Sequence, residues 1–261
     1  MRSMVVCGRN AVIKAVVFDL GGTLIEYAGP YASWPALETP GLQSAYAYWQ
    51  QRGYALPLFA DFCAVGFSLL PPMWRAATRH EANLRVVDLL AMALAELGVT
   101  AVTAADIAAA AMQYGAAIQA QAELTPQAVE TVAQVKATGY RVGLVSNTMF
   151  PGTLHRADMD RFGLTPYFDA MVFSADVNMW KPNADPFRQV LAGLGVDADT
   201  AVYIGDDPAS DVVGGRAAGM RTVYYKGNSR FTTPPGITPH AEIAELSELL
   251  PLLAQWGDGK R

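Results

Sequence analysis

Asp19 ends an apolar run, Ala15-Val16-Val17-Phe18, and is followed at once by Leu20-Gly21-Gly22-Thr23. Apolar residues rich in β-branching read as a buried strand, and paired glycines stop it. A carboxylate at such a strand tip is placed to attack an electrophile or to hold a metal. Three more chemically capable sets follow predicted strands. Ser146-Asn147 comes after Val142-Gly143-Leu144-Val145; Lys181 sits in Trp180-Lys181-Pro182-Asn183; Gly205-Asp206-Asp207, with Asp211 beyond, comes after Val202-Tyr203-Ile204. In a parallel sheet all carboxyl ends point one way, so these sets gather in one crevice. A nucleophilic carboxylate, a hydroxyl, an ammonium and several acids would then converge. Such a set suits a phosphoryl group held between Mg²⁺ and lysine.

The elements that must position them are legible as five short β-rich runs: Lys14–Phe18, Arg141–Val145, Ala170–Phe173, Ala201–Ile204 and Thr222–Tyr225. Most precede a helical segment, which implies right-handed crossovers and a Rossmann-like α/β core around a parallel five-stranded sheet. Thr125-Pro126 reads as an N-cap with proline at the first helical position, Val129, Val132 and Ala133 on one face, and Gly139 as the stop. Asp207-Pro208 opens another helix that Gly219 closes. Between the first two strands the pattern changes. Leu42–Arg52, Glu81–Leu97 and Ala104–Gln121 carry helical periodicity, with no convincing strand from Tyr27 to Leu124. The expected organisation is a core of residues 1–26 and 125–261 with residues 27–124 inserted as a helical cap above Asp19.

Composition narrows the functions. The chain has 261 residues, 52% hydrophobic and 16% charged, as expected of a globular protein with a sizeable core. A net charge of −5 supplies no field for nucleic acid or an anionic membrane. No stretch is apolar and long enough to span a bilayer, and Met1 to Lys14 lacks a signal-peptide apolar block, so a cytoplasmic protein is expected. Cys7 and Cys63 are too few for a disulfide framework and read as free thiols. His80, His155 and His240 lack catalytic or metal spacing and read as surface or satisfied structural groups.

Taken in order, FDLGGTL at Phe18–Leu24, VSNT at Val145–Thr148, WKPNADPF at Trp180–Phe187 and GDDPASDVVGGRAAGM at Gly205–Met220 resemble the haloacid-dehalogenase-like (HAD) hydrolase superfamily. The resemblance is to the branch with a helical cap after the first motif; GLTPYFD at Gly163–Asp169 matches that branch's connecting segment. It implies a hydrolase of a small phosphorylated metabolite. Asp19 would form an aspartyl-phosphate, and Mg²⁺ would be held by Asp19, the carbonyl of Gly21 and Asp206. Gly22, Ser146, Asn147 and Lys181 would contact the substrate; Lys181 would neutralise transition-state charge, and Asp211 would orient Lys181 or a metal-bound water. Asp207 reads as a helix N-cap.

Residue 21 departs from the pattern. Family phosphatases usually carry an aspartate there that protonates the leaving oxygen; Gly21 keeps the carbonyl and loses the acid. General acid–base help is worth ~10²–10⁴-fold, so a substrate with a good leaving group, or another carboxylate such as Glu26 or one from the cap, is required for fast turnover. Two other functions compete. Dehalogenation needs no metal, but family dehalogenases usually place an aromatic at position 21 and lose acids that this chain keeps at Asp206, Asp207 and Asp211. The other is a phosphate- or nucleotide-binding protein with weak turnover. Phosphonate cleavage through a cap lysine is disfavoured, because Tyr27–Leu124 contains no lysine.

Overall fold

The computed structural model describes residues 12–27, 34–227 and 229–258; Cys7 and the first residues lie outside them. Six strands form one parallel sheet in the order β5-β4-β1-β6-β7-β8. They are β1 (Ala15–Phe18), β4 (Arg141–Ser146), β5 (Ala170–Phe173), β6 (Ala201–Gly205), β7 (Arg221–Tyr225) and β8 (Ala241–Ile243). Five coincide with the runs read from the sequence. The sixth, β8, is a three-residue edge strand beside β7 that extends the expected five-stranded sheet. So short an edge carries too little apolar pattern to stand out.

Side chains alternate between the sheet faces, and both faces are covered. Val16, Phe18, Val142, Leu144, Val202 and Ile204 pack with Val132 and Val135 of α5 (Ala128–Ala137) and Leu249 and Leu253 of α10 (Leu249–Asp258). On the opposite face Val17 and Tyr203 meet Phe187, Val190 and Leu191 of α8 (Asp185–Leu194). The helix α5 begins two residues later than the Thr125-Pro126 reading. Gln127, at φ 63°, precedes it, while Ala128 N–H bonds the Thr125 carbonyl and the chain turns before it coils. Its buried face is Ala128, Thr131, Val132 and Val135.

Between two-residue strands β2 (Ile25–Glu26) and β3 (Glu123–Leu124), which pair antiparallel, lie four helices. These are α1 (Trp34–Gln51), α2 (Phe59–Thr78), α3 (Val86–Glu96) and α4 (Ala104–Gln119). They share a second apolar cluster around Trp49, Phe62, Leu90 and Tyr114, which Met149, Phe150, Leu154 and Trp180 join from the sheet side. The remaining helices are α6 (Gly152–Arg161), α7 (Ser174–Val177) and α9 (Val213–Ala217); a π turn at Pro208–Val212 leads into α9. Gly219 follows α9 at φ 89°.

Candidate active site

β1 lies between β4 and β6, and its last residue Phe18 aligns with Leu144 and Ile204. Connections leave this point toward opposite edges of the sheet, so the loops after β1, β4 and β6 splay apart and leave a crevice. Asp19, Ser146 and Asp206 all stand at its rim. Asp19 stays in the ladder through its N–H to the Ile204 carbonyl, 2.8 Å, which fixes where its carboxylate emerges.

Lys181 reaches into this crevice from the loop before α8 and is 2% exposed. Its Nζ donates to Asp19 Oδ1 at 2.6 Å, to Asp211 Oδ1 at 2.7 Å and to the Tyr203 hydroxyl at 2.9 Å. Tyr203 passes its own proton to the Val145 carbonyl, so every direction of the ammonium is spoken for. Asn147 holds the loop itself. Its amide donates to the Lys181 carbonyl and accepts from the Lys181 N–H, so both ends of this side chain serve to place the lysine.

The acids are fixed as firmly. Asp211 gives its second oxygen to the Asp207 N–H. A β-carbon at Gly205 would lie 2.1 Å from that oxygen, so only glycine allows the approach. Thr23 donates to Asp206 Oδ1 at 3.4 Å. Gly22, at φ 82°, lies directly against Asp206; a β-carbon there would fall 2.4 Å from Oδ2. Asp207 accepts from Ala209 N–H and Ser210 Oγ, the N-cap anticipated for it. Ser146 is buried at the end of β4 and lines the cavity with Asp19 and Lys181.

Asp19, Asp206 and Asp211 each bring an oxygen within 4.8 Å of the others, and one ammonium answers these three carboxylates. Burial pushes the Asp19 acid up to about 7 against the pull of Lys181, with Asp211 adding to the rise. Burial, then the Asp19 and Asp211 charges, drives Asp206 well above its ordinary range. Burial alone would discharge Lys181; Asp19 and Asp211 reverse that and keep it a cation. Excess negative charge on hard oxygen donors suits a divalent cation such as Mg²⁺. Asp211 has both oxygens engaged, which leaves Asp206 and the free oxygen of Asp19 as the available carboxylate donors.

The haloacid dehalogenase-like hydrolase family matches residues 13–219 of this sequence. The chain belongs to that family. Its relatives include a ribulose-1,5-bisphosphate 5-phosphatase of Halopiger xanaduensis, 29% identical over 81% of this chain and 84% of the relative. A pyrimidine 5'-nucleotidase of Escherichia coli is 32% identical, over 53% of this chain and 61% of its own length. Among solved structures, a 2-haloacid dehalogenase from Pseudomonas syringae superposes with a TM-score of 0.66 at 25% identity, covering 94% of this chain and 99% of that one.

Two parts of this hydrolase's site were not anticipated from its sequence. One is Tyr203, whose signal was a lone hydroxyl in an otherwise aliphatic buried strand. The other is His155, which lines the cavity from α6. Its ring joins the Tyr27 hydroxyl at 2.7 Å to the Thr148 hydroxyl at 2.6 Å and stacks on Phe173. Burial drives its pKa down to about 4, so the ring is neutral near pH 7. Tyr27 also flanks Gly21, where an added β-carbon would meet its ring at 3.7 Å, an ordinary contact. His80 and His240 bond the Trp180 carbonyl and Thr222, outside this network.

Proposed function

We propose that this hydrolase is a Mg²⁺-dependent phosphatase of a small phosphorylated metabolite, with Asp19 as the nucleophile. The observation that carries the reading is Lys181 held 2.6 Å from Asp19 Oδ1 and 2.7 Å from Asp211, opposite Asp206. The phosphatase and nucleotidase names of the relatives support it.

Asp19, Asp206 and the Gly21 carbonyl would hold the ion, whose charge draws the phosphoryl oxygens into place. One carboxylate oxygen of Asp19 attacks phosphorus while the other would face the ion, and the bond to the leaving oxygen breaks as the aspartyl-phosphate forms. Lys181 faces the oxygens on which charge accumulates, and Ser146 and the Gly22 N–H are placed to donate to them. Asp211 and Tyr203 keep the ammonium on target, and Asn147 sets its loop. Water then attacks the acyl phosphate, releasing phosphate and restoring Asp19. Helices α1–α4 act as a cap on this crevice, with the β2–β3 pair as its neck.

Dehalogenation is the second reading, favoured by the likeness to the Pseudomonas syringae enzyme and by the aromatic ring of Tyr27 beside Gly21. The acid cluster argues against it, because an attack on carbon needs no divalent ion and gains nothing from three crowded carboxylates. A panel of aryl, acyl and alkyl phosphates and 2-haloacids, with Mg²⁺ and with chelator, decides between them. Expected are Mg²⁺-dependent phosphate release and its loss by at least ~10³-fold in Asp19→Asn. Halide release that survives chelator would replace this reading, and no turnover on any compound would leave a binding protein.

A further inference from the structure

Helix α1 turns one acid toward the cavity. Glu38 is 7% exposed, yet it lines the same cavity as Asp19, Gly21 and Lys181. Around it the wall is apolar, with Leu37, Leu70, Trp74, Ile118 and Phe150. Tyr114 donates to Glu38 Oε2 at 2.5 Å, and among the described residues none takes the other oxygen.

The other cavity carboxylates are committed. Asp19, Asp206 and Asp211 form the charged cluster around Lys181. Glu26 is paired with Arg230, and both oxygens of Asp207 cap the turn that follows it. An acid needs a free oxygen, a route to the leaving group and an environment that keeps its proton. Glu38 meets each of these.

We propose that Glu38 is the general acid and base of this hydrolase, doing from the helical segment what Gly21 cannot do from the first loop. The proposal rests on the phosphatase reading. In the first step Asp19 Oδ bonds to phosphorus, the bond from phosphorus to the leaving oxygen breaks, and the Glu38 Oε1 proton passes to that oxygen, giving the free alcohol. In the second, Glu38 carboxylate takes a proton from water as its oxygen bonds to phosphorus, the acyl bond to Asp19 breaks and phosphate leaves. Burial raises the Glu38 acid to about 7 against the pull of the Tyr114 hydrogen bond, which leaves a large protonated share at neutral pH. The assignment also selects substrates: an alkyl phosphate with an apolar body fits this wall and needs the proton.

The test compares 2-phenylethyl phosphate, whose alkoxide leaves poorly, with 4-nitrophenyl phosphate, whose phenolate needs no acid, both with Mg²⁺. In Glu38→Gln, kcat/KM, which reports the first step alone, is expected to fall ~10²-fold or more on the alkyl ester and to stay within a few-fold on the aryl ester. Gly21→Asp added to Glu38→Gln is expected to recover alkyl turnover, since among the described residues its β-carbon meets only the Tyr27 ring. That recovery also shows that the single variant folds. Equal losses of kcat/KM on both esters, a change in KM alone on the alkyl ester, or an alkyl rate that Gly21→Asp does not restore would overturn the assignment. A wild-type protein that hydrolyses neither ester would instead overturn the phosphatase reading, and this one with it.

Discussion

Three histidines are spread through the sequence with no spacing that suggests a shared task, yet His155 lies 5% exposed between two hydroxyls at the edge of the site. Spacing could not reveal this, because its partners Tyr27 and Thr148 come from different loops and meet only when the strands align. Its folded pKa of about 4 lies below the ordinary 6.5, so the unfolded chain binds a proton that the folded one refuses. The stability this contributes is full above pH 6.5 and lost as pH falls through 4, worth about 3 kcal/mol. Asp19 and Glu38, raised to about 7, run the other way and stabilise on acidification. The measurement is therefore a difference: denaturant unfolding of wild type and His155→Gln at pH 7 and pH 4. Wild type should lose its advantage over the variant across that range, and parallel curves would refute the assignment. Asp19 and Asp206, by contrast, were legible as residues, since each directly follows a strand whose carboxyl end had to face the same crevice; Lys181 comes only after β5 and the short helix α7.

At the scale of elements, buried parallel strands advertise themselves as unbroken apolar runs, and all five were placed to within a residue of their ends. Helices were harder. Pro71 and Pro72 sit inside α2, and Pro40 inside α1, where the sequence argues for breaks. Both helices persist because their apolar faces are committed to the cluster of Trp49, Phe62 and Leu70. Tertiary burial outweighs local propensity here. A polar clamp adds to that packing. Asp106, near the start of α4, receives Tyr48 from α1, Arg52 and Tyr54 from the loop after it and the N-cap Thr103; these bonds hold its acid down at about 2. Asp106→Ala should loosen this joint. Amide exchange is expected to quicken in α1 and α4 while β1, β4 and β6 keep their protection, and uniform acceleration across the chain would contradict a local clamp.

Viewed as a whole, the molecule concentrates acid where the connections of its parallel sheet diverge, and the excess charge there must be answered. Without a cation, the buried carboxylates of Asp19, Asp206 and Asp211 repel one another and disfavour the folded state. Mg²⁺ should therefore stabilise the protein, by about 2.7 kcal/mol at a hundred times its Kd. Asp206→Asn is expected to melt above wild type in chelator and to lose most of the Mg²⁺ response. A variant that responds as fully as wild type would place the ion elsewhere. The sequence alone determined the layered α/β core, the helical insertion and the identity of the charged groups at the strand ends. Those follow from local periodicity and from the single direction that parallel strands must share. The tertiary structure decided what Asn147, Tyr203, His155 and Glu38 do. Each acts through a partner between 22 and 128 residues away along the chain, and no local pattern encodes such a meeting.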